Sequence, residues 1–422
     1  MKAFKMLFGA EQVRLIPYLA KWTLIAGLIS VLAGSASALF LVSLDKVTQW
    51  RESHLWAIAL LPFAGFVVGW VYDKVGRSVD AGNNLLIDEV HDPRKVIPLR
   101  MAPLVLLGTL VSHMFGASVG REGSAVQMGG ALADQLTHVF RLKAPDRSIV
   151  LMTGMSAGFA AVFGTPLAGA IFGLEVLAIG RMKYDALLPC MISGIIANQI
   201  CLAFGVQHTH YAISAIDPVS VTSIVIMAIA GIVFGLAGFA FAGAVHSLGA
   251  LSKRLIKYGP MRPFVGGVIV AVAAWALGTY QYLGLGIPDI MRSFQEPMSL
   301  QDPLGKFFFT VASLGSGFKG GEVTPLFYIG ATLGNAIAPF TGLPFPMMAA
   351  VGFVAVFAGA ANTPLTTTIM AIELFGAPIA PFAAVACITA YLFSGSVGIY
   401  RAQRKGDGKH PHPLGIKDGE QP

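Results

Sequence analysis

Residues 163–175 read F-G-T-P-L-A-G-A-I-F-G-L-E, and residues 361–373 read A-N-T-P-L-T-T-T-I-M-A-I-E. The shared frame is Thr165-Pro166-Leu167, Ile171 and Glu175 in the first, and Thr363-Pro364-Leu365, Ile369 and Glu373 in the second. Each frame interrupts a run of apolar residues too long for one membrane crossing, 148–179 and 346–375. Proline lacks an N–H and starts a helix better than it continues one, so each run reads as two helices joined by a break at membrane depth. Backbone groups freed there are tolerated only in protein or against a wet cavity. Upstream, Gly120-Arg121-Glu122 matches Gly320-Gly321-Glu322, and Gly130-Ala131 matches Gly330-Ala331. One offset is 198 and the other 200, which a two-residue gap reconciles. Paired interrupted helices in two halves point to a transport site at their interface; whether the halves run parallel or inverted stays open on this evidence.

Composition fits a chain of many crossings. The 422 residues are 55% apolar and only 12% charged, about half the roughly 25% of soluble proteins. Mean hydropathy is +0.70. So few charges cannot cover a water-soluble surface, and disorder, a secreted disulfide scaffold and a nucleic-acid partner are disfavoured. Apolar stretches lie near 22–44, 55–72, 101–119, 149–179, 186–205, 221–245, 263–280, 306–317, 346–375 and 378–399. The net charge of +7 concentrates in short loops and at both ends. Lys2, Lys5, Arg14 and Lys21 precede the first span, and Arg401, Arg404, Lys405 and Lys409 follow the last, so both termini are expected to be cytoplasmic. Segment 141–147, Arg181 and Lys183 fit inner loops. The expected division is a cytoplasmic helix at 1–18, repeats at 19–205 and 206–400, and a short tail at 401–422 without a regulatory domain. Glu11 and Arg14 break the first apolar stretch before a signal peptide forms. Cys190, Cys201 and Cys387 lie in apolar segments without metal-ligand spacing and read as packing residues. His410 and His412 alternate in the tail, a weak metal signal; no metal or cofactor is expected.

Four clusters carry polar chemistry. Gly120-Arg121-Glu122-Gly123-Ser124 opens a helical segment, so its amides and positive dipole end suit an anion. Glu122, ionised, can fill such a site; protonated, it can leave it with a proton. A carboxylate at this depth is costly and functional by default, against a structural pairing with Arg121. Gly320-Gly321-Glu322-Val323-Thr324-Pro325 is the second half's version. Thr324 can donate to an anion or serve as an ordinary N-cap, and Glu322 can instead pair with Lys319. In Gly82-Asn83-Asn84, either amide can cap a helix and turn donors toward an anion, or simply form a turn. Gly154-Met155-Ser156-Ala157-Gly158 fits the G-x-S-x-G nucleophile pattern, but no spacing ties His113 or His246 to Ser156, and close helix packing explains it better.

At these residues the chain resembles the CLC family of chloride channels and anion/proton antiporters. Gly120-Arg121-Glu122-Gly123, extended to Gln127, is similar to the family's gating-glutamate motif, and 160–175 resembles its midpoint signature. The likeness runs over roughly 20–400. It implies an all-α polytopic fold of two inverted-topology repeats with tilted, partly discontinuous helices, assembled as a homodimer with one ion pathway per subunit. Asn83 stands where most members place a central serine, Gly321-Glu322-Val323-Thr324-Pro325 replaces Gly-x-Phe-x-Pro, and Ser124 replaces a common proline. These departures resemble the fluoride/proton antiporter branch, CLC-F. The resemblance implies that Glu122 gates and transfers protons, that Asn83, Val323, Thr324 and Tyr400 bind the anion, and that Glu322 is a second carboxylate. Gly120, Arg121, Gly123, Gly320 and Gly321 then supply the track's backbone. Tyr400, placed near the end of the last helix, matches an inner pore tyrosine. Val176 stands where many exchangers carry a second glutamate, leaving protons Glu122, Glu322 or water. Expected partners are fluoride, chloride more weakly, protons and the lipid of a bacterial inner membrane. Chloride/proton exchange, a passive channel, or a membrane hydrolase on Ser156 are the competing readings.

Overall fold

The computed structural model describes residues 10–406 and Lys409, with side chains from Leu15 onward. His410, His412, Lys2 and Lys5 lie outside these residues. Among those described, eight α-helices precede Gly205 and eight follow it. The first set is α1 (Ala10–Ser53), α2 (Leu61–Val71), α3 (Asn83–His91), α4 (Met101–Met114), α5 (Glu122–Val139), α6 (Ala144–Phe163), α7 (Pro166–Glu175) and α8 (Leu187–Ala203). The second is α9 (Val221–Leu255), α10 (Met261–Leu277), α11 (Ile287–Arg292), α12 (Gln301–Ser316), α13 (Val323–Ile337), α14 (Phe345–Ala361), α15 (Pro364–Phe375) and α16 (Ala380–Phe393). The helices correspond in order, α1 with α9 through α8 with α16.

Lengths are uneven for a physical reason. The 44 residues of α1 extend about 66 Å, more than twice the hydrocarbon thickness of roughly 30 Å, while α7 and α15, of 10 and 12 residues, cannot cross it. Helix α1 runs unbroken past residue 18, with Pro17 inside it. Both expected breaks occur where the proline frames stand. Gly164 (φ +75°) ends α6 and Asn362 (φ +57°) ends α14 in the left-handed conformation, and Pro166 and Pro364 open the next helices.

The structure moves the register of the internal repeat by one residue. Gly120 and Gly321 face each other in an antiparallel bridge, with Gly120 N–H donating to Gly321 O at 2.6 Å and Gly321 N–H to Gly120 O at 2.8 Å. Arg121 and Glu322 are the N-caps of α5 and α13, and Glu122 and Val323 are their first residues. The counterpart of Glu122 is therefore Val323, not Glu322, and the upstream offset is 201 rather than 200. Helix α6 is three residues longer than α14, which absorbs the difference from 198.

The proline frames join the halves a second time. Glu175, at the end of α7, accepts from Leu365 N–H (2.9 Å), Thr366 N–H (2.8 Å) and the Thr366 hydroxyl (2.6 Å) at the start of α15. Glu373, near the end of α15, accepts from Leu167 N–H (2.9 Å) and Ala168 N–H (2.8 Å) at the start of α7. Each frame's glutamate caps the other frame's helix, which requires the two helices to lie antiparallel. With the glycine bridge, this reciprocity is the mark of inverted repeats.

Each basic end is tied to an acidic residue of the first half. Lys21 pairs with Asp146 at 2.7 Å, and Arg404 with Asp88 at 3.1 Å. A two-stranded parallel pair, β1 (Ala178–Ile179) with β2 (Arg404–Lys405), ties the loop after α7 to the segment after α16. Arg147, expected as a loop charge, is instead buried, holding Asp134 and Glu89 each at 2.8 Å and Lys95 O at 2.6 Å. With Ser148 Oγ donating to Val90 O at 2.8 Å, it anchors the C-terminal end of α3, whose other end reaches the site.

Candidate functional site

Glu122 starts α5, yet its side chain belongs to another helix. Its carboxylate lies against the first turn of α13, accepting from Thr324 N–H at 3.1 Å and from the Thr324 hydroxyl at 2.6 Å. Arg121 N–H adds a third donor at 3.2 Å. Amide, hydroxyl and the positive end of a helix are the groups a small anion would use, and here the carboxylate takes them. Glu122 is 1% exposed, which makes those donors the replacement for its water. The Arg121 guanidinium stands 3.5 Å from it and makes no hydrogen bond through Nε, so the expected alternative of a structural Arg121–Glu122 pair accounts for charge but not for placement.

Thr324 is the second residue of α13 and caps nothing on its own helix; Glu322 holds the N-cap position. The ordinary N-cap reading of Thr324 is thus replaced by donation across the repeat interface. Glu322 does not pair with Lys319, because Asp80 takes that lysine at 2.5 Å. Neither Asn83 nor Asn84 caps α3. Gly82, at φ +59°, is the cap residue, and both amides are released for other contacts. Asn83 Nδ2 stands 3.0 Å from where a Cβ on Gly123 would be, so Gly123 must stay bare, and Asn83 Oδ1 is buried without a partner. Asn84 Oδ1 accepts from Ala402 N–H at 2.9 Å, tying the loop to the far end of the chain.

Tyr400 is not near the end of a helix. Helix α16 stops at Phe393, and the chain turns back through Gly395 at φ +66°. Ile399 N–H then bonds to Ala360 O at 2.8 Å, delivering the buried tyrosine to the cavity with Asn83 on a non-helical segment. Gln403 fixes that segment. Its Nε2 donates to Val176 O (2.9 Å) and Ala361 O (2.8 Å), while its Oε1 accepts from Asn362 (3.0 Å). Sequence reading passed over Gln403, although a lone amide three residues after Tyr400 between two chain breaks is the signal it left.

Two cavities share no lining residue. One, of about 190 Å³, brings together Asn83, Ser124, Lys319, Gly320, Glu322 and Tyr400. The other, of about 570 Å³, is lined by Lys46, Arg51, Arg121 and His208 among others. Arg121 lines one and Ser124 the other, so the start of α5 carries lining residues of both. Glu122, Val323 and Thr324 line neither cavity and are buried. Ser156 donates to Ala170 O at 3.3 Å in the crossing of α6 and α7 and has no histidine partner, which removes the hydrolase reading. Among the described residues, no group of three or more His, Cys, Asp or Glu is placed to hold a metal ion.

Comparison with known proteins locates this arrangement. The family model described as voltage gated chloride channel matches residues 64–395. A protein of Pseudomonas syringae pv. tomato named "Chloride/fluoride channel protein" is 66% identical over 96% of this chain and 91% of its own. The H(+)/Cl(-) exchange transporter ClcA of Vibrio vulnificus is 27% identical over 83% of this chain and 81% of its own. A crystal structure described as a CLC-type fluoride/proton antiporter superposes with a TM-score of 0.89 at 35% identity, covering 92% of this chain and 98% of that one. With the family match spanning most of its length and the fold superposing along it, the chain belongs to the CLC family of membrane transport proteins.

Proposed function

We propose that the chain is a fluoride/proton antiporter that exports fluoride as protons enter. The carrying observation is the seat of Glu122, a carboxylate held by one hydroxyl and two amides at a helix start. Fluoride is small and a strong acceptor, so N–H and O–H donors offset its dehydration better than apolar surroundings would. The 66% identical relative named for chloride and fluoride, and the solved fluoride/proton antiporter, support this choice of ion.

In this reading Glu122 alternates between filling the seat and carrying a proton away from it. When it leaves protonated, fluoride takes the donors of Thr324 and Val323 and the amide of Asn83. Backbone of Gly120, Arg121, Gly123, Gly320 and Gly321 lines the track. Tyr400 closes its far end, and Glu322, in the cavity with Asn83 and Tyr400, is the second carboxylate on the proton route. Val176 cannot relay protons.

A homodimer in a bacterial inner membrane, with both termini cytoplasmic, completes the proposal. Leu167, Ile195, Leu365, Ile372 and Ile388 are exposed on or beside the two short helices, whose ends lie at membrane depth and need protein cover. A second copy supplies it.

Purified protein in liposomes tests the function: fluoride and chloride efflux are followed with proton movement. Wild type is expected to drive protons uphill as fluoride leaves. Glu122→Gln is expected to abolish proton coupling, and stoichiometric proton uptake in that variant would overturn the assignment. Faster chloride than fluoride flux would favour a chloride/proton exchanger, and flux without protons a passive channel.

A further inference from the structure

Lys319 has no part in the mechanism above, and its surroundings differ from those of an ordinary ion pair. It lines the 190 Å³ cavity together with Asn83, Glu322 and Tyr400. Its Cβ and Cγ pack 3.1 and 3.2 Å from where a Cβ on Gly108 would stand, so the stem is pinned. The ammonium sits 4.0 Å from the Tyr72 ring centroid and 2.5 Å from Asp80 Oδ1. The partners are unequally buried: Lys319 is 21% exposed and Asp80 58%. A pinned, half-sheltered cation is therefore held by a carboxylate that water competes for.

We infer that Lys319 forms a recruiting site for a small monovalent anion at the mouth of this cavity, with Asp80 as its built-in competitor. The inference rests on the anion-transport reading and assigns the step before the anion reaches Asn83. An ammonium has three donors and no acceptor. A carboxylate and an aromatic face satisfy it while it waits, and an arriving halide can exchange with the exposed carboxylate. Glu322 lies in the same cavity and opposes anions there; the Lys319 charge offsets it where the backbone of Gly320 leads on to the Gly120–Gly321 bridge. The Tyr72 ring keeps the ammonium beside the cavity when Asp80 lets go.

The roles have opposite signs, which a structural strut would not show. In proteoliposomes, Lys319→Gln is expected to raise the half-saturating fluoride concentration roughly fivefold, with a smaller drop in maximal rate. Asp80→Asn is expected to lower it about twofold to threefold, since the competitor is gone. Lys319→Arg keeps the charge and is expected to restore near-normal half-saturation, which separates lost charge from lost fold. Raising ionic strength with an impermeant salt should weaken wild-type half-saturation and leave Lys319→Gln nearly flat, because a mouth charge is screened over about 8 Å at 0.15 M. Equal shifts in one direction for Lys319→Gln and Asp80→Asn would reduce the pair to a strut and overturn the assignment. So would unchanged half-saturation in Lys319→Gln. The variants are also run with chloride. A wild type that moves chloride and not fluoride ends the fluoride reading but leaves the test of Lys319 intact.

Discussion

Thr324 shows how much one position can carry. Its amide and hydroxyl both donate to the Glu122 carboxylate, and no acceptor on its own turn takes them. Truncating Thr324 to alanine removes the shortest bond in the seat, and replacing Asn83 by serine removes its side-chain amide. Asn83→Ser together with Thr324→Ala is expected to lower the fluoride-to-chloride flux ratio several-fold, since hydrogen bonds to a charged acceptor are worth roughly 1.5–3 kcal/mol. Side-by-side efflux of the two anions measures it, and an unchanged ratio would exclude both from the lining. These two residues were legible in the sequence as donors beside glycines. Their partners were not. Nothing local distinguishes Asn83, which faces Gly123, from Asn84, which holds Ala402 N–H, because the choice is made by a segment more than 300 residues away. Tyr400 was found by likeness, but its non-helical carrier segment was hidden inside an apolar run that reads as helix to residue 399.

At the scale of elements, α7 and α15 explain a sequence feature that looked like mere repetition. A glutamate in a helix's last turn sits at the wrong end of its own dipole, where a cation is favoured. Glu175 and Glu373 accept that position because each faces the starting turn of its neighbour. Glu373→Ala leaves Leu167 and Ala168 amides without an acceptor and is expected to cost about 2 kcal/mol. Glu175→Ala, which also orphans the Thr366 hydroxyl, should cost at least as much. Denaturant unfolding in detergent micelles reads both, and losses under roughly 0.5 kcal/mol would show that packing, not capping, holds the pair. The breaks themselves were readable, since proline and a left-handed residue announce them. The exchange of caps was not, because spacing within each frame says nothing about which helix the glutamate meets.

The whole molecule is organised about the ribbon of Gly120 and Gly321. A Cβ on Gly321 would stand 2.8 Å from Gly123 N, and one on Gly120 would stand 2.9 Å from Gly321 O. Both neighbours are backbone and cannot step aside. Gly321→Ala is expected to reduce anion flux more than about tenfold by displacing Glu122 and Thr324 relative to each other, while the protein still purifies as a folded species. Flux within twofold of wild type would mean that the ribbon is dispensable. The sequence pointed to two related halves but paired them one residue out. Glycines on either side make the neighbouring registers nearly identical in residue type, and the bond that decides between them is made by main chain, which leaves no trace in side chains.

That ribbon also limits what can move. Two main-chain bonds stitch the halves together within two or three residues of Glu122 and Thr324, and Ser118 adds further ties to Ser313 and Thr310. A transporter that works by tilting one half against the other would have to tear this seam in every cycle. In the proposed antiport cycle this seam lies beside Glu122, which assigns the motion to a swinging side chain in a stationary frame and ties turnover to how quickly that arm trades its proton.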